Sequence, residues 1–259
     1  MKTLAPAGAY LAVLAAALVV GNCAGGTDTA TSLTAPTTAT SSSGSSSVTL
    51  TMLPAMYLEF GNGMTVSLDG QNVTLKTSDL PDHNTPYYGV GHAKYEAPQP
   101  GMVLAPNSIV TQNLTLRVPA SPTSATASDT PLGPMGVAVN GVALFNQYAA
   151  GRMPLGAGEI QSFDRYNGHP SPSGQYHYHV EPLWITAAKG SSALIGVLLD
   201  GFPVYGTVDT GGGTPTNLDA CNGHVGITPH FPQGIYHYHV TSATPYISGC
   251  FRGTPGTIG

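Results

Sequence analysis

Residues 135–146 read MGVAVNGVALFN and residues 195–206 read IGVLLDGFPVYG, two blocks that align at an offset of 60. In the first, apolar residues alternate around a turn pair: Val137 and Val139, Asn140-Gly141, then Val142 and Leu144. The second repeats this with Val197 and Leu199, Asp200-Gly201, then Phe202 and Val204. Asn-Gly or Asp-Gly between alternating runs predicts a β-hairpin whose two central residues take positive φ. Two more blocks follow in the same order. FDRYNGH (163–169) matches LDACNGH (218–224) at an offset of 55, and YHYHV occurs at 176–180 and again at 236–240. Three blocks in register define an internal repeat, placed here at about 132–182 and 192–242. Each unit opens with a hairpin and closes on a YHYHV strand.

The region before the repeats also has strand periodicity. MTVSLDGQNVTLKT (64–77) sets Met64, Val66, Leu68 and Val73, Leu75 about Asp69-Gly70, and SIVTQNLTLRV (108–118) alternates through Leu114, Leu116 and Val118. The 33 glycines and 22 prolines favour short strands joined by turns, and no convincing amphipathic helix follows the N-terminal leader. The expected fold is mainly β: duplicated hairpin/strand units related by a pseudo-twofold, forming a sandwich- or barrel-like domain (132–253) after a β N-terminal region (48–120). The Pro- and Ser-rich stretch 119–134 marks the boundary between them.

Residues 1–23 read as a signal peptide. One charge, Lys2, precedes the apolar run YLAVLAAALVV (10–20), about half the ~20 residues needed to span a bilayer. Cys23 stands where a lipoprotein carries its acyl chains, although Asn22 is not the small residue expected before it. The Thr/Ser/Ala/Gly stretch 24–47 has the composition of a flexible tether. The protein is therefore expected outside the cytoplasm, in the cell envelope through a lipid anchor at Cys23 or extracellular. There, Cys221 and Cys250 are expected to form a disulfide. Charged residues make up only 8% of the chain and the net charge is −5, which argues against nucleic acid as a partner.

The chemistry lies in the histidines. On a strand, His177 and His179 share one face while Tyr176 and Tyr178 take the other, so the two imidazoles can converge on one metal ion. His169, behind an Asn-Gly turn, can fold back to join them, and the second repeat offers His224, His237 and His239 in the same order. Three neutral imidazoles with an open position suit copper or zinc, with Asp164 or Asp219 as a fourth ligand or as an orienting partner. Whether each repeat owns a site or all six imidazoles share one pocket stays open at this level. No G-x-S-x-G elbow, phosphate loop or C-x-x-C pair is present; DTGGGT (209–214) reads as a surface loop, and Trp184 as a core residue.

These blocks resemble the YHYH-domain family of secreted or lipid-anchored proteins. SDLPDHNTPYY resembles the family's early Pro-Asp-His segment, GVAVNGV and LDGFPVYG its paired hairpins, LDACNGH its aspartate-to-histidine block and PYISGCFRG its closing stretch. The resemblance adds Asp82 and His83 to Asp164 and Asp219 as candidate catalytic groups and implies no particular reaction. The leading expectation is an exported metal-binding protein. A metal-dependent hydrolase or oxidoreductase using a three-histidine site and a metal-free surface interaction module are the alternatives.

Overall fold

The computed structural model describes residues 52–259, which lie in one compact unit. The expected signal peptide, Cys23 anchor and 24–47 tether fall outside the described residues. In chain order the strands are β1 (Thr65–Asp69), β2 (Asn72–Thr77), β3 (Leu114–Pro119), β4 (Ser124–Asp129), β5 (Pro134–Ala138), β6 (Ala143–Phe145), β7 (Tyr148–Ala149), β8 (Met153–Pro154), β9 (Gly168–Pro170), β10 (Tyr176–Tyr178), β11 (Leu194–Leu198), β12 (Pro203–Tyr205), β13 (Gly223–Thr228), β14 (Phe231–His239), β15 (Cys250–Gly253) and β16 (Thr257–Ile258). Among the described residues the architecture is mainly β and sandwich-like, without a closed barrel. Two short helices, α1 (Ala157–Gln161) and α2 (Leu183–Lys189), interrupt a region where periodicity predicts none. At five and seven residues they are too short to leave an amphipathic signature.

The repeats build an eight-stranded sheet in the order β13-β14-β12-β11-β5-β6-β10-β9. Its two halves are the same four strands read in opposite directions. At the centre β5 and β11 run antiparallel with Val137 opposite Val197, residues that align in the two repeats. Equivalent residues facing each other on antiparallel strands are exchanged only by a twofold perpendicular to the sheet, so that axis passes through this valine pair. The inner face of the second sheet, β1-β2-β3-β16, supplies Val73 opposite Val118 and Leu75 opposite Leu116. These four residues are fully buried in the same hydrophobic cluster as Val137, Leu144 and Val197.

The hairpin tips differ from expectation in turn type. Gly141 and Gly201 have φ of 85° and 84°, whereas Asn140 and Asp200 stay at negative φ. Gly141 N donates to Ala138 O while Ala138 N donates to Val142 O, and Gly201, Leu198 and Phe202 repeat the pattern. Each tip is thus a three-residue loop with a glycine bulge rather than a two-residue turn with both centres at positive φ. Freed from that conformation, Asp200 turns its carboxylate inward. It is fully buried and accepts from Tyr238 Oη at 2.6 Å, Gly253 N at 2.9 Å and Arg252 N at 3.0 Å.

The stretch 119–134, expected as a boundary, carries β4, which pairs with β15 near the C-terminus. Cys250 on β15 is bonded to Cys221 in the turn before β13. The bridge closes a loop of 29 residues, and reducing it is expected to lower stability by about 3 kcal/mol on the chain-entropy account. Urea unfolding with and without a phosphine reductant measures this.

Asp79 ties the segment after β2 to the middle of the large sheet: its Oδ1 accepts from Ala143 N at 2.8 Å, and Ala143 pairs with His177. Its other oxygen is buried without a partner. Burial pushes this carboxyl up to about 8, whereas in the unfolded chain it ionises near pH 4. Between those values folding takes up a proton, so this group's contribution to stability falls as pH rises, by up to about 1.4 kcal/mol per unit. Asp79→Asn, which cannot titrate, is expected to lose that decline; unfolding free energies of both proteins at pH 5 and 7.5 check it.

Candidate metal centres

In both repeats the residues D-x-x-N-G-H build the same turn. Asp164 N donates to Gly168 O at 2.9 Å and Asp219 N to Gly223 O at 2.8 Å. Asn167 and Asn222 sit at φ 68° and 72°, a left-handed conformation that asparagine tolerates better than most residues. Their side chains reach back across the unit, Asn167 Nδ2 to Glu181 O and Asn222 Nδ2 to His239 O. Next, Gly168 and Gly223 leave room for a neighbouring ring: a Cβ at either would overlap the hydroxyl of Tyr176 or Tyr236. The tyrosine lies across the glycine and donates to the turn's aspartate, Tyr176 Oη to Asp164 Oδ2 at 2.6 Å and Tyr236 Oη to Asp219 Oδ1 at 3.0 Å. The histidine that ends each motif is then paired across the ladder, His169 with His177 and His224 with His237.

Two separate imidazole clusters result. The first consists of His169, His177 and His179, all buried; the second of His224, His237 and His239 together with Asp209. Within each, one potential ligand atom per residue lies within 4.8 Å of every other. His177 and His179 bring their Nε2 atoms to 3.0 Å, His224 and His237 to 3.1 Å. A tetrahedral ion with nitrogen ligands holds them about 3.3 Å apart. Asp209 Oδ1 stands 3.1 Å from His239 Nε2, 3.3 Å from His224 Nε2 and 3.9 Å from His237 Nε2. Five strand-to-strand steps separate β10 from β14, roughly 24 Å at ordinary sheet spacing, so each repeat owns its own cluster.

The outer nitrogens decide what the inner ones can be. Backbone carbonyls accept from Nδ1 of His177 (Gln175 O, 3.0 Å), His179 (Asn146 O), His237 (Ile235 O, 3.0 Å) and His239 (Gly206 O, 2.8 Å). A carbonyl only accepts, so each Nδ1 carries the proton and each Nε2 presents a lone pair. The 3.0 Å approach of His177 to His179 therefore sets two lone pairs against each other with no proton between them. Burial makes protonation costly. It holds His177 well below the ordinary imidazole range, with His179 and His169 adding to the effect. His169 is pushed down to about 3 by burial and His179, and burial brings His179 and His237 to about 4 and lowers His239. Two inner atoms, Nε2 of His169 and of His239, are buried without a hydrogen bond.

The chain belongs to the YHYH protein family. The family model matches residues 115–211 and 208–253, which span both clusters and the whole eight-stranded sheet. No curated protein and no solved structure matches the chain. The family's letters now have physical roles: in each YHYH the histidines point into the cluster while the tyrosines cross to the opposite side. There the first tyrosine binds the turn's aspartate. The second tyrosine meets different partners in the two halves, Asp200 for Tyr238 and Asn140 with His83 for Tyr178.

Asp164 and Asp219 are thus partners of tyrosine hydroxyls and turn amides and do not join the imidazole groups. Asp82 accepts from Asn140 Nδ2 at 3.0 Å, and His83 accepts from Tyr178 Oη at 3.0 Å among the rings of Tyr166, Tyr176 and Trp184. Neither belongs to a cluster. Trp184, expected in the core, is only half-buried. Asp209, placed in a surface loop by the sequence, does belong. One signal could have found it: it is the only carboxylate between the VYG block and LDACNGH, just as Glu159 is the only one between LFN and FDRYNGH.

Proposed function

We propose that this is an exported metal-binding protein that holds one divalent ion in each repeat, with three imidazoles per ion and Asp209 as the fourth donor in the second. The facing lone pairs of His177 and His179 carry this reading: a buried 3.0 Å Nε2 pair with both protons spent on carbonyls is unfavourable by itself and is relieved by a cation that both nitrogens can bind. Imidazole with carboxylate, and no thiolate or thioether among the donors, suits zinc or copper(II). The outer carbonyls, duplicated at the same positions of both repeats, fix tautomer and ring direction as partners behind metal ligands do. Export is supported by the disulfide, with Cys23 and residues 24–47 as anchor and tether.

Elemental analysis of protein purified without chelator or polyhistidine tag tests the reading. Two equivalents of metal per chain are expected, falling to one in His177→Ala/His179→Ala and to one in His237→Ala/His239→Ala. Metal-free protein that also fails to take up added zinc or copper would leave the clusters as packing.

A further inference from the structure

The two clusters differ in what lies in front of them. The second is closed by Asp209, whose Oδ1 is within 3.9 Å of all three Nε2 atoms. In the first, the corresponding connection supplies, from α1, Glu159, whose Oε1 approaches only His169 Nε2, at 3.4 Å and outside hydrogen-bonding geometry. His169, His177 and His179 instead line a cavity of about 750 Å³, and none of the second cluster's residues does. That volume suits a small organic molecule. Leu104, Leu132, Phe145, Tyr148 and Pro170 are among its walls. Among the described residues, Glu159 is the only Asp, Glu, Lys or Arg in the lining, and apart from the histidines none of them brings a cationic side chain to it.

Building on the metal-binding reading, we propose that the first cluster is a hydrolytic centre, with Glu159 as proton acceptor and an uncharged ester with an apolar body as substrate. Three imidazoles leave one position of a tetrahedral ion for water, and an open position of this kind separates catalytic from structural zinc sites. Glu159, 3.4 Å from His169 Nε2 and outside the imidazole group, would be close enough to such a water to take its proton. In the reaction, water yields a proton to Glu159 and its oxygen bonds to the ester's carbonyl carbon. The acyl C–O bond then breaks, and the departing alkoxide takes the proton from Glu159, so one ester and one water give one acid and one alcohol. The walls select among electrophiles: without lysine or arginine, nothing besides the ion offsets the charge of a phosphate ester, whereas an apolar acyl or alkyl group is buried favourably. In the second cluster Asp209, within 3.9 Å of all three Nε2 atoms, would take the position that water needs, and an ion held there would be structural.

Cobalt(II) and zinc loading of the full chain test this. With two cobalt ions bound, benzohydroxamate, a carbonyl-like ligand with an apolar ring, is expected to shift the visible absorption of one ion and not the other. His177→Ala/His179→Ala should abolish the responsive half. With zinc, the protein should hydrolyse 4-nitrophenyl butyrate, and Glu159→Gln should lower kcat about 100-fold while the metal content stays at two. Two bound ions with no benzohydroxamate response and no zinc-dependent hydrolysis would overturn the hydrolytic centre and leave the metal-binding reading standing. Hydrolysis unchanged in Glu159→Gln would overturn the assignment of the proton acceptor. A chain that binds no metal would sink both readings.

Discussion

Zinc added to the metal-free protein is expected to raise its unfolding free energy by about 8 kcal/mol when free metal exceeds both dissociation constants a thousandfold. Each site then contributes about 4 kcal/mol, because the ion binds the folded chain and finds no assembled ligand set in the unfolded one. The ligands of one site come from segments that only pairing brings together: His224 and His237 are ladder partners, and Asp209 arrives from a separate loop. The metal-free fold also carries the opposed lone pairs of His177 and His179, which the ion relieves. Urea unfolding with zinc and with excess chelator measures the difference. In His177→Ala/His179→Ala the zinc-dependent gain should halve. Equal unfolding curves with and without metal would contradict the proposed sites.

Gly196→Ala is expected to cost at least about 4 kcal/mol and to leave little soluble protein, because it overpacks two backbones at once. Gly196 lies on β11 beside the pseudo-twofold, and a Cβ there would overlap the carbonyl oxygen of Val137 and stand 2.8 Å from Ala138 Cα. Backbone cannot rotate away as a side-chain end can. Gly136, its equivalent in the first repeat, approaches the carbonyl of Val197 in the same way. Any shift that relieves the clash must separate β5 from β11, the seam that joins the two halves. Gly190→Ala is the contrasting case. It sits at the exposed end of α2 with open space around its Cβ position, so its only cost is the backbone conformation at φ 94°, about 1–3 kcal/mol. Circular dichroism and yield of soluble protein compare the two variants; a Gly196→Ala protein as stable as Gly190→Ala would refute the close-approach argument.

The duplication, the hairpins and the six imidazoles were legible in the chain because each is a short-range pattern. Alternation sends His177 and His179 to one face of β10, and an Asn-Gly turn followed by a strand returns His169 to its ladder partner; both follow from pleat geometry and local φ. Pairing Cys221 with Cys250 needed only a count of thiols and an oxidising compartment.

What folding added depends on where separate segments meet. The strand order sets the clusters roughly 24 Å apart, since β5 meets β11 at the centre and the histidine strands are pushed outward. Asp209 lies in a loop and Glu159 in the five-residue α1, neither with a readable periodicity, so nothing local says which carboxylate closes on its cluster and which stops at one imidazole. Asp164 and Asp219, nearer the histidines in sequence, are taken by tyrosine hydroxyls because Gly168 and Gly223 let those rings cross the ladder. A β-strand dictates the face on which its side chains emerge, a short-range property of the backbone. What each side chain meets there is decided by long-range pairing and loop closure, for which a linear sequence carries no coordinate.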